Sequence, residues 1–334
     1  MPKKQPILRE DHVSGKLKGR HFLSMLDWST EEILLVLDTA RELKSGRGFA
    51  RAEARGSDSN DADGRLPLQG KTLAMIFQKP SLRTRVSFET GMTKLGGHAI
   101  YLSPSDVSLG KRETTEDIAL VLSRYVDLIM ARVFGHDIVE ELARYATVPV
   151  INALSDFEHP CQALADLLTI LERKERLEGV KACFIGDGNN VAHSLMFAAA
   201  RVGMHMTIIT PPGYEPKAEV VQRATQVGAN TGSRIAVSND LQAARGVDVL
   251  YTDVWASMGQ EDEAAQRKQT FVRYRIDAET MKLADSDAII LHCLPAHYGD
   301  EIDYATSRLP NSAIFDQAEN RLHAQNALMI HLAG

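Results

Sequence analysis

The stretch that decides the fold runs Phe77-Gln-Lys-Pro-Ser-Leu-Arg-Thr-Arg-Val-Ser-Phe-Glu89. The apolar run before it, residues 72–77, is typical of a buried parallel strand, and Phe88, Met92 and Leu95 within and after it have helical spacing. A strand that turns directly into a helix leaves backbone N–H groups at the helix N-terminus, and the serine, threonine and arginine side chains of this turn can hold an anion. The stretch therefore predicts a strand, a phosphate cradle and a helix; a solvated basic turn is the alternative.

The composition is that of an ordinary soluble α/β protein. With 334 residues, 44% of them hydrophobic and 25% charged, the chain can bury two sizeable cores. The net charge of −6 argues against a nucleic-acid or membrane-surface binder, because such proteins need a basic surface. Cys161, Cys183 and Cys293 lie far apart and fit no metal spacing, which favours reduced thiols in a cytoplasmic protein. We expect neither a membrane span nor a targeting segment.

Short apolar runs alternate with amphipathic segments along most of the chain. The predicted strands cover residues 72–77, 98–102, 128–133 and 148–152 in a first series, then one beginning at 180, 206–210, 234–237, 247–251 and 288–294 in a second. This rhythm indicates the α/β class, with two doubly wound parallel-sheet domains. The polar stretch from Ser45 to Gly64 lacks apolar periodicity and indicates a surface insertion; a regulatory or partner loop is the alternative.

Polar residues follow several of the predicted strands, which is where α/β sheets bind ligands. They are Arg132, His159-Pro160-Cys161-Gln162, Asn189-Asn190, the segment from Asp253 to Met258, and His292-Cys293-Leu294-Pro295. Each is a weak signal alone, because a single histidine or cysteine serves packing more often than catalysis. An anion cradle, a histidine, an acid and a thiol that converge on one cleft between two domains would form an active site.

Six motifs resemble the aspartate/ornithine carbamoyltransferase family. In the family's order they are Ser81-Leu-Arg-Thr84, His159-Pro-Cys-Gln162, Gly186-Asp-Gly-Asn-Asn190, Asp253-Val-Trp-Ala-Ser-Met-Gly259, His292-Cys-Leu-Pro295 and Ala318-Glu-Asn-Arg321. The resemblance runs from about Phe22 to the C-terminus. It implies a carbamoyl-phosphate-binding domain at 20–165 with the insertion at about 45–64, an ornithine-binding domain at 176–315, and a C-terminal helix at 316–334 that packs back on the first domain. It also implies a homotrimer, or a multiple of one, with active sites between subunits.

The resemblance further implies the reaction. The δ-amine of L-ornithine would attack the carbonyl carbon of carbamoyl phosphate and give L-citrulline and phosphate, a step of arginine metabolism. No metal or organic cofactor is expected, because the transferred group arrives already activated. The implied carbamoyl-phosphate-binding residues are Ser81, Leu82, Arg83, Thr84, Arg132, His159, Pro160, Cys161, Gln162, Cys293, Leu294 and Arg321. The implied ornithine-binding residues are Asn190, Asp253, Ser257 and Met258, and the implied catalytic residues are Cys293, Asp253, Arg83 and His159.

Two positions depart from the family's pattern. The family often has threonine where this chain has Leu82, which is harmless if the residue offers only its backbone N–H to phosphate. Many members have glutamine where this chain has Ser108, and a serine is too short to reach the carbamoyl phosphate of a neighbouring subunit directly. Lys111 or Arg112 on the same loop would supply positive charge instead.

Three other functions would use parts of the same sequence. Putrescine, N-acetylornithine or aspartate would be another acceptor amine, but the intact Asp253 and Ser257-Met-Gly259 favour free ornithine. A dinucleotide-dependent oxidoreductase would use the turn Gly186-Asp-Gly188, which lacks the third glycine of that fingerprint. A protein that keeps the fold only to bind a partner is disfavoured, because the residues with proposed chemical roles, other than the altered loop at Ser108, are present.

Overall fold

The computed structural model describes residues 17–46, 66–107, 109, 112–256 and 261–334. Within these limits the chain forms two compact units. The first comprises residues up to Leu23, Asp27–Leu154 and Leu322–Gly334, and the second comprises Ser24–Leu26 and Ser155–Arg321. Several predictions fall outside the described residues: most of the insertion at 45–64, and Ser108, Lys111, Ser257 and Met258. The domain limits given above remain a prediction.

The first unit is built on a parallel sheet of four strands in the order β2-β1-β3-β4. The strands are β1 (Thr72–Phe77), β2 (His98–Leu102), β3 (Leu128–Arg132) and β4 (Val150–Leu154). The helices described in this unit are α1 (Thr30–Lys44), α2 (Leu82–Lys94), α3 (Pro104–Val107), α4 (Thr115–Leu122) and α5 (His136–Tyr145). The apolar core includes Ile76 and Ile129 from the sheet and Ile118 and Val139 from the helices. Burial of these faces is the main force that holds the unit together.

The second unit is built on a parallel sheet of five strands in the order β7-β6-β5-β8-β9. The strands are β5 (Lys181–Ile185), β6 (His205–Ile209), β7 (Ile235–Ser238), β8 (Val249–Thr252) and β9 (Ile289–His292). The helices described in it are α6 (Pro160–Lys174), α7 (Asn190–Val202), α8 (Ala218–Gly228), α9 (Ala264–Phe271), α10 (Ala278–Met281) and the start of α11 (Ile314–Ala333). The predicted fold class, two doubly wound parallel sheets, is confirmed.

Each sheet has one point where the strand order reverses. In the first unit the chain leaves β1 for β2 on one side and returns to β3 on the other, so the ends of β1 and β3 are neighbours, with Phe77 opposite Arg132. In the second unit the corresponding pair is β5 and β8, with Ile185 opposite Thr252. A crevice opens at such a reversal because the connecting helices leave to opposite faces. The motifs that follow these four strands are therefore the ones placed to bind ligands.

The C-terminal helix α11 contributes its last part to the first unit, beginning at Leu322. There the Gln325 side-chain amide donates to the Ser87 hydroxyl at 2.8 Å, and the Gly19 N–H donates to the Leu332 carbonyl at 3.0 Å. The predicted return of this helix to the first unit is thus confirmed. Within the described residues, no helix has both the length and the apolar composition that a bilayer crossing requires.

Candidate active site

The first unit's candidate site lies at the turn from β1 to α2. Ser81 precedes the helix with extended backbone, and its hydroxyl accepts the Thr84 N–H at 3.3 Å and donates to the Thr84 hydroxyl at 3.1 Å. The Leu82 side chain is 74% exposed, so this residue offers the turn its backbone. Arg83 lies in the first helical turn. Since a helix N-terminus and a guanidinium are both positive, this turn has the charge that a phosphate needs.

Arg132 is the second positive group at this reversal of strand order. It is the last residue of β3, is 8% exposed, and its carbonyl accepts the Gln78 N–H at 2.8 Å, which ties the ends of β1 and β3 together. A buried guanidinium suits an anion such as phosphate, which it can contact through two parallel hydrogen bonds. The structure therefore brings together all five first-unit residues of the predicted site: Ser81, Leu82, Arg83, Thr84 and Arg132.

Two other basic residues of the stretch are engaged elsewhere. The Arg85 guanidinium lies 3.9 Å from the ring centre of Tyr101 and donates to Glu89 at 3.0 Å. The Lys79 ammonium lies 4.5 Å from the ring centre of Phe134. Both of these side chains thus have aromatic partners within the first unit.

In the second unit, the motif that begins at His159 forms the N-terminus of α6. Pro160 is the first helical residue, where its missing N–H removes no hydrogen bond. The His159 N–H donates to the Ser194 hydroxyl at 2.8 Å, and that hydroxyl donates to the buried Glu158 carboxylate at 3.1 Å. Burial raises the pKa of the Cys161 thiol to about 12. Cys161 is therefore not a nucleophile at neutral pH.

Gln162 and Arg321 meet below this motif. The Arg321 guanidinium donates to the Gln162 side-chain oxygen at 2.9 Å, and both residues are 2% exposed. The other half of the Gln162 amide donates to the Asp166 carboxylate at 2.9 Å. Two residues assigned to carbamoyl phosphate, 159 positions apart in the chain, are thus in direct contact.

Asp253 and Cys293 form a hydrogen-bonded pair beyond β8 and β9. The Cys293 thiol donates to Asp253 Oδ1 at 3.0 Å, and the Val254 N–H donates to the same oxygen at 2.8 Å. Asn189 donates to Asp253 Oδ2 at 3.0 Å and also caps α7. Asn190, the other asparagine of this turn, donates to the Ser155 carbonyl at 2.6 Å. A carboxylate offers about four acceptor sites, and these three donors use about three of them.

The backbone around Cys293 is fixed by a buried histidine. The His292 Nδ1 atom accepts the Leu294 N–H at 2.9 Å, and its Nε2 atom lies 3.0 Å from Glu301 Oε1. Nε2 must therefore carry the proton and donate to the carboxylate. Leu294 takes a left-handed backbone, φ 59°, which is unfavourable for a residue other than glycine. The His292 ring holds this turn and so sets where Cys293 and Leu294 lie.

One group of potential metal ligands occurs among the described residues. Single ligand atoms of Asp253, His292 and Cys293 all lie within 4.8 Å of one another. Both ring nitrogens of His292 already form hydrogen bonds, to Leu294 and Glu301. Only two ligands are left, which fits a proton-handling pair better than a tetrahedral metal site.

Sequence reasoning missed several buried polar residues that support these groups. They are Asp166, Tyr251, Arg267, Glu301 and Gln317. Burial raises the pKa of Tyr251 well above its usual value, and the nearby Asp166 and Cys293 charges raise it further. Helical spacing gave a signal for two of them, because Asp166 follows Gln162 by four residues and Gln317 precedes Arg321 by four.

Comparisons with known proteins agree with this geometry. Two family models match: the carbamoyl-P binding domain of aspartate/ornithine carbamoyltransferase over residues 20–172, and the Asp/Orn binding domain over residues 178–332. The chain is 52% identical to an ornithine carbamoyltransferase of Anoxybacillus flavithermus over 95% of this chain and 98% of that protein. It is 53% identical to that of Geobacillus stearothermophilus over 94% and 97% of the two chains.

Among solved structures, ornithine carbamoyltransferase from Pyrococcus furiosus superposes with a TM-score of 0.88 at 50% identity, over 95% of this chain and 98% of that one. The Thermus thermophilus enzyme gives 0.80 at 41% identity over 93% and 98%. The motifs, the two sheets and these matches have one explanation: the chain belongs to the aspartate/ornithine carbamoyltransferase family.

Proposed function

We propose that this protein transfers the carbamoyl group of carbamoyl phosphate to the δ-amine of L-ornithine, giving L-citrulline and phosphate. The observation that carries the proposal is the Asp253–Cys293 pair, a carboxylate and a thiol 3.0 Å apart beyond the ends of β8 and β9 in the second unit. The names of the similar proteins support ornithine as the acceptor. Two similar proteins are named anabolic, which supports a role in arginine synthesis.

The first unit's cradle would hold the phosphate. Ser81, Thr84 and the backbone of Leu82 offer hydrogen bonds, and Arg83 and Arg132 offer positive charge. As the bond between carbon and phosphate oxygen breaks, negative charge accumulates on the leaving phosphate. Groups that are already positive and already in place stabilise that charge without rearranging, so the cradle would assist chemistry as well as binding.

The motif at the start of α6 would hold the carbamoyl group. His159 and Gln162 would donate to or orient that group, with Arg321 completing the pocket and Pro160, Cys161 and Leu294 contributing backbone. The carbonyl oxygen becomes an oxyanion during attack and needs a cationic or N–H donor near it. Two donors of this kind, Arg321 and the His159 side chain, lie in or beside the motif.

Ornithine would lie beside Asn190 and Asp253, with Ser257 and Met258 at matching family positions. Its δ-amine is mostly an ammonium at neutral pH and must lose a proton before it attacks. Because the thiol is the donor in the Cys293–Asp253 pair, Asp253 is the group that can take the proton. Cys293 would then steer the carboxylate oxygen toward the amine.

The proposal includes an assembly and a location. We infer a homotrimer or a multiple of one, in the cytoplasm, with each site completed by a neighbouring subunit. Large apolar side chains of the first unit are exposed, among them Leu82, Val86, Tyr125 and Phe134. Exposed apolar groups of this size favour burial in an interface. Sedimentation velocity should give about three times the mass of one chain or a multiple of that, and a monomer would contradict this part.

The test of the reaction is citrulline formation from carbamoyl phosphate and L-ornithine, beside putrescine, N-acetylornithine and aspartate. Ornithine should be preferred by orders of magnitude. Asp253→Asn and Cys293→Ala should each lower kcat, by about 100-fold for Asp253. Cys183→Ala is the matched control, since Cys183 is a buried thiol in the core and should leave kcat unchanged. A preference for putrescine would overturn the ornithine assignment, and the absence of carbamoylation of any amine would overturn the reaction.

A further inference from the structure

A buried carboxylate, Asp166, lies below the carbamoyl motif and has no role in the proposed reaction. It is fully buried, one helical turn after Gln162 on α6. Its Oδ1 atom accepts an N–H of the Gln162 amide at 2.9 Å and an N–H of the Gln317 amide at 2.7 Å. One carboxylate oxygen thus receives two side-chain amides, one from α6 and one from α11.

These two hydrogen bonds decide which way each amide points. The oxygen of Gln162 faces away from Asp166 and accepts from the Arg321 guanidinium at 2.9 Å. The oxygen of Gln317 accepts the His292 backbone N–H at 2.8 Å, and His292 directly precedes Cys293. If the Gln162 amide turned over, its N–H groups would meet the Arg321 cation and its oxygen would meet the Asp166 anion. The amide dipole therefore has one favourable direction between the two charges.

We propose that Asp166 is a positioning residue for the carbamoyl-phosphate pocket, which fixes the Gln162 amide and through it Arg321, and fixes the end of β9 through Gln317. The inference rests on the proposed function, because Gln162, Arg321 and Cys293 are groups assigned to the substrate there. Asp166 touches no reacting atom and acts through its two amide partners.

The burial of the Asp166 carboxylate indicates that its role is to accept hydrogen bonds. Desolvation raises the pKa of Asp166 to about 7, against the lowering effect of the Gln162, Gln317 and Tyr251 side chains and of the Arg321 charge. A hydrophobic residue of similar size would fill the same space without that penalty. Packing alone therefore does not account for an acid at this position.

The neighbouring turn of the same two helices offers a matched control. The Thr169 hydroxyl, fully buried on α6, accepts from the Asn320 amide of α11 at 3.0 Å. This pair joins the same helices as Asp166 and Gln317, through the same kind of side-chain hydrogen bond. The Thr169 hydroxyl also donates to the Ala165 carbonyl, and neither Ala165 nor Asn320 is assigned to a substrate, so the loss of this hydroxyl tests the purely structural role.

The experiment uses the full-length protein with Asp166→Leu, Asp166→Asn and Thr169→Val. Citrulline formation is measured with each substrate varied separately, and thermal unfolding is recorded for every variant. Asp166→Leu should raise KM for carbamoyl phosphate by about tenfold or more, since a hydrogen bond to a charged group is lost, with KM for ornithine within about twofold. Asp166→Asn keeps one acceptor oxygen and should be intermediate. Thr169→Val should lower the unfolding temperature but leave both KM values unchanged.

The outcomes separate this inference from the function on which it rests. If the wild type forms citrulline and both Asp166 variants keep its KM for carbamoyl phosphate, the positioning role is overturned and the function stands. If Asp166→Leu does not fold, the isosteric Asp166→Asn decides the question in the same way. If the wild type carbamoylates no amine, the proposed function is overturned and this inference with it.

Discussion

The two units build their predicted substrate sites differently. In the first unit, four consecutive residues from Ser81 to Thr84 and one strand end, Arg132, supply the groups. In the second unit, groups from separate parts of the chain are held by buried hydrogen bonds, as between Gln162 and Arg321. A contiguous cradle needs little beyond its own turn, whereas a dispersed pocket depends on partners that never touch substrate.

The largest expected effect lies in the contiguous cradle. Arg83→Met removes a guanidinium from the proposed phosphate cradle and should lower kcat/KM for carbamoyl phosphate by about 100-fold or more, because the proposed charge-assisted contact would be lost. Steady-state kinetics with carbamoyl phosphate as the varied substrate measures this.

Arg85→Met is the matched control for that change, two residues further along the same helix. Arg85 stacks on Tyr101 and pairs with the partly exposed Glu89, so its loss should change kcat/KM by less than about threefold. Equal losses for Arg83→Met and Arg85→Met would contradict the assignment of the cradle.

In the second unit we expect a smaller loss of kcat/KM when Glu301, which is not assigned to a substrate, is changed. Glu301 is fully buried and accepts from the His292 ring at 3.0 Å and from the His297 N–H at 2.6 Å. Glu301→Gln keeps an acceptor oxygen but buries an amide N–H₂ without an assigned partner, which should lower stability by about 1–3 kcal/mol and kcat/KM by about tenfold. Kinetics and urea unfolding test this. Glu279→Gln, at an exposed pair with Lys282, should change neither quantity.

The buried carboxylate of Asp166 should make the stability of the protein depend on pH. The pKa of Asp166 rises from 3.8 to about 7 on burial, so the folded state binds this proton more tightly than the unfolded state. Between about pH 4 and 7 this group therefore lowers stability as pH rises, by up to about 1.4 kcal/mol per pH unit. Urea unfolding of wild type and Asp166→Asn across that range should show the variant gaining relative stability with pH. If the difference in unfolding free energy between the two proteins did not change with pH, this would contradict the raised pKa of Asp166.

The smallest expected change in kcat/KM comes from a substitution in the first unit's cradle. Leu82→Thr restores the residue that the family often has at a position whose side chain is 74% exposed. Since the residue offers its backbone N–H, kcat/KM for carbamoyl phosphate should stay within about twofold. A gain of tenfold or more would mean that a hydroxyl at this position takes part in phosphate binding.

The same contrast explains what could be predicted from the sequence. Hydrophobic periodicity located β1 and α2, and the turn between them suggested an anion site from local chemistry alone. The polar ends of β8 and β9 could be marked as candidates, but only the resemblance paired Asp253 with Cys293, which lie 40 residues apart. The assignment of substrate roles to all these residues stays a prediction.

The rest could not be predicted because it depends on long-range contacts. Glu301 looks like an ordinary surface acid in a polar stretch, yet it lies buried against His292. The strand predicted at 288–294 ends at His292, because the His292 ring takes the Leu294 N–H that would otherwise continue the strand. The strand predicted at 148–152 runs instead from Val150 to Leu154. A local sequence pattern shows neither the buried contact of Glu301 nor the residues at which these two strands begin and end.

The distance along the chain between Asp166 and Gln317 also has a consequence for biosynthesis. The two residues are 151 positions apart in the chain. Because a ribosome adds roughly 5–20 residues per second, Gln317 is synthesised roughly 8–30 s after Asp166. Arg321, the cation at the far side of the Gln162 amide, is made later still. A nascent chain can thus form its first sheet early. The buried hydrogen bonds of Asp166 and Gln162 with Gln317 and Arg321 can form only after the last helix has been synthesised.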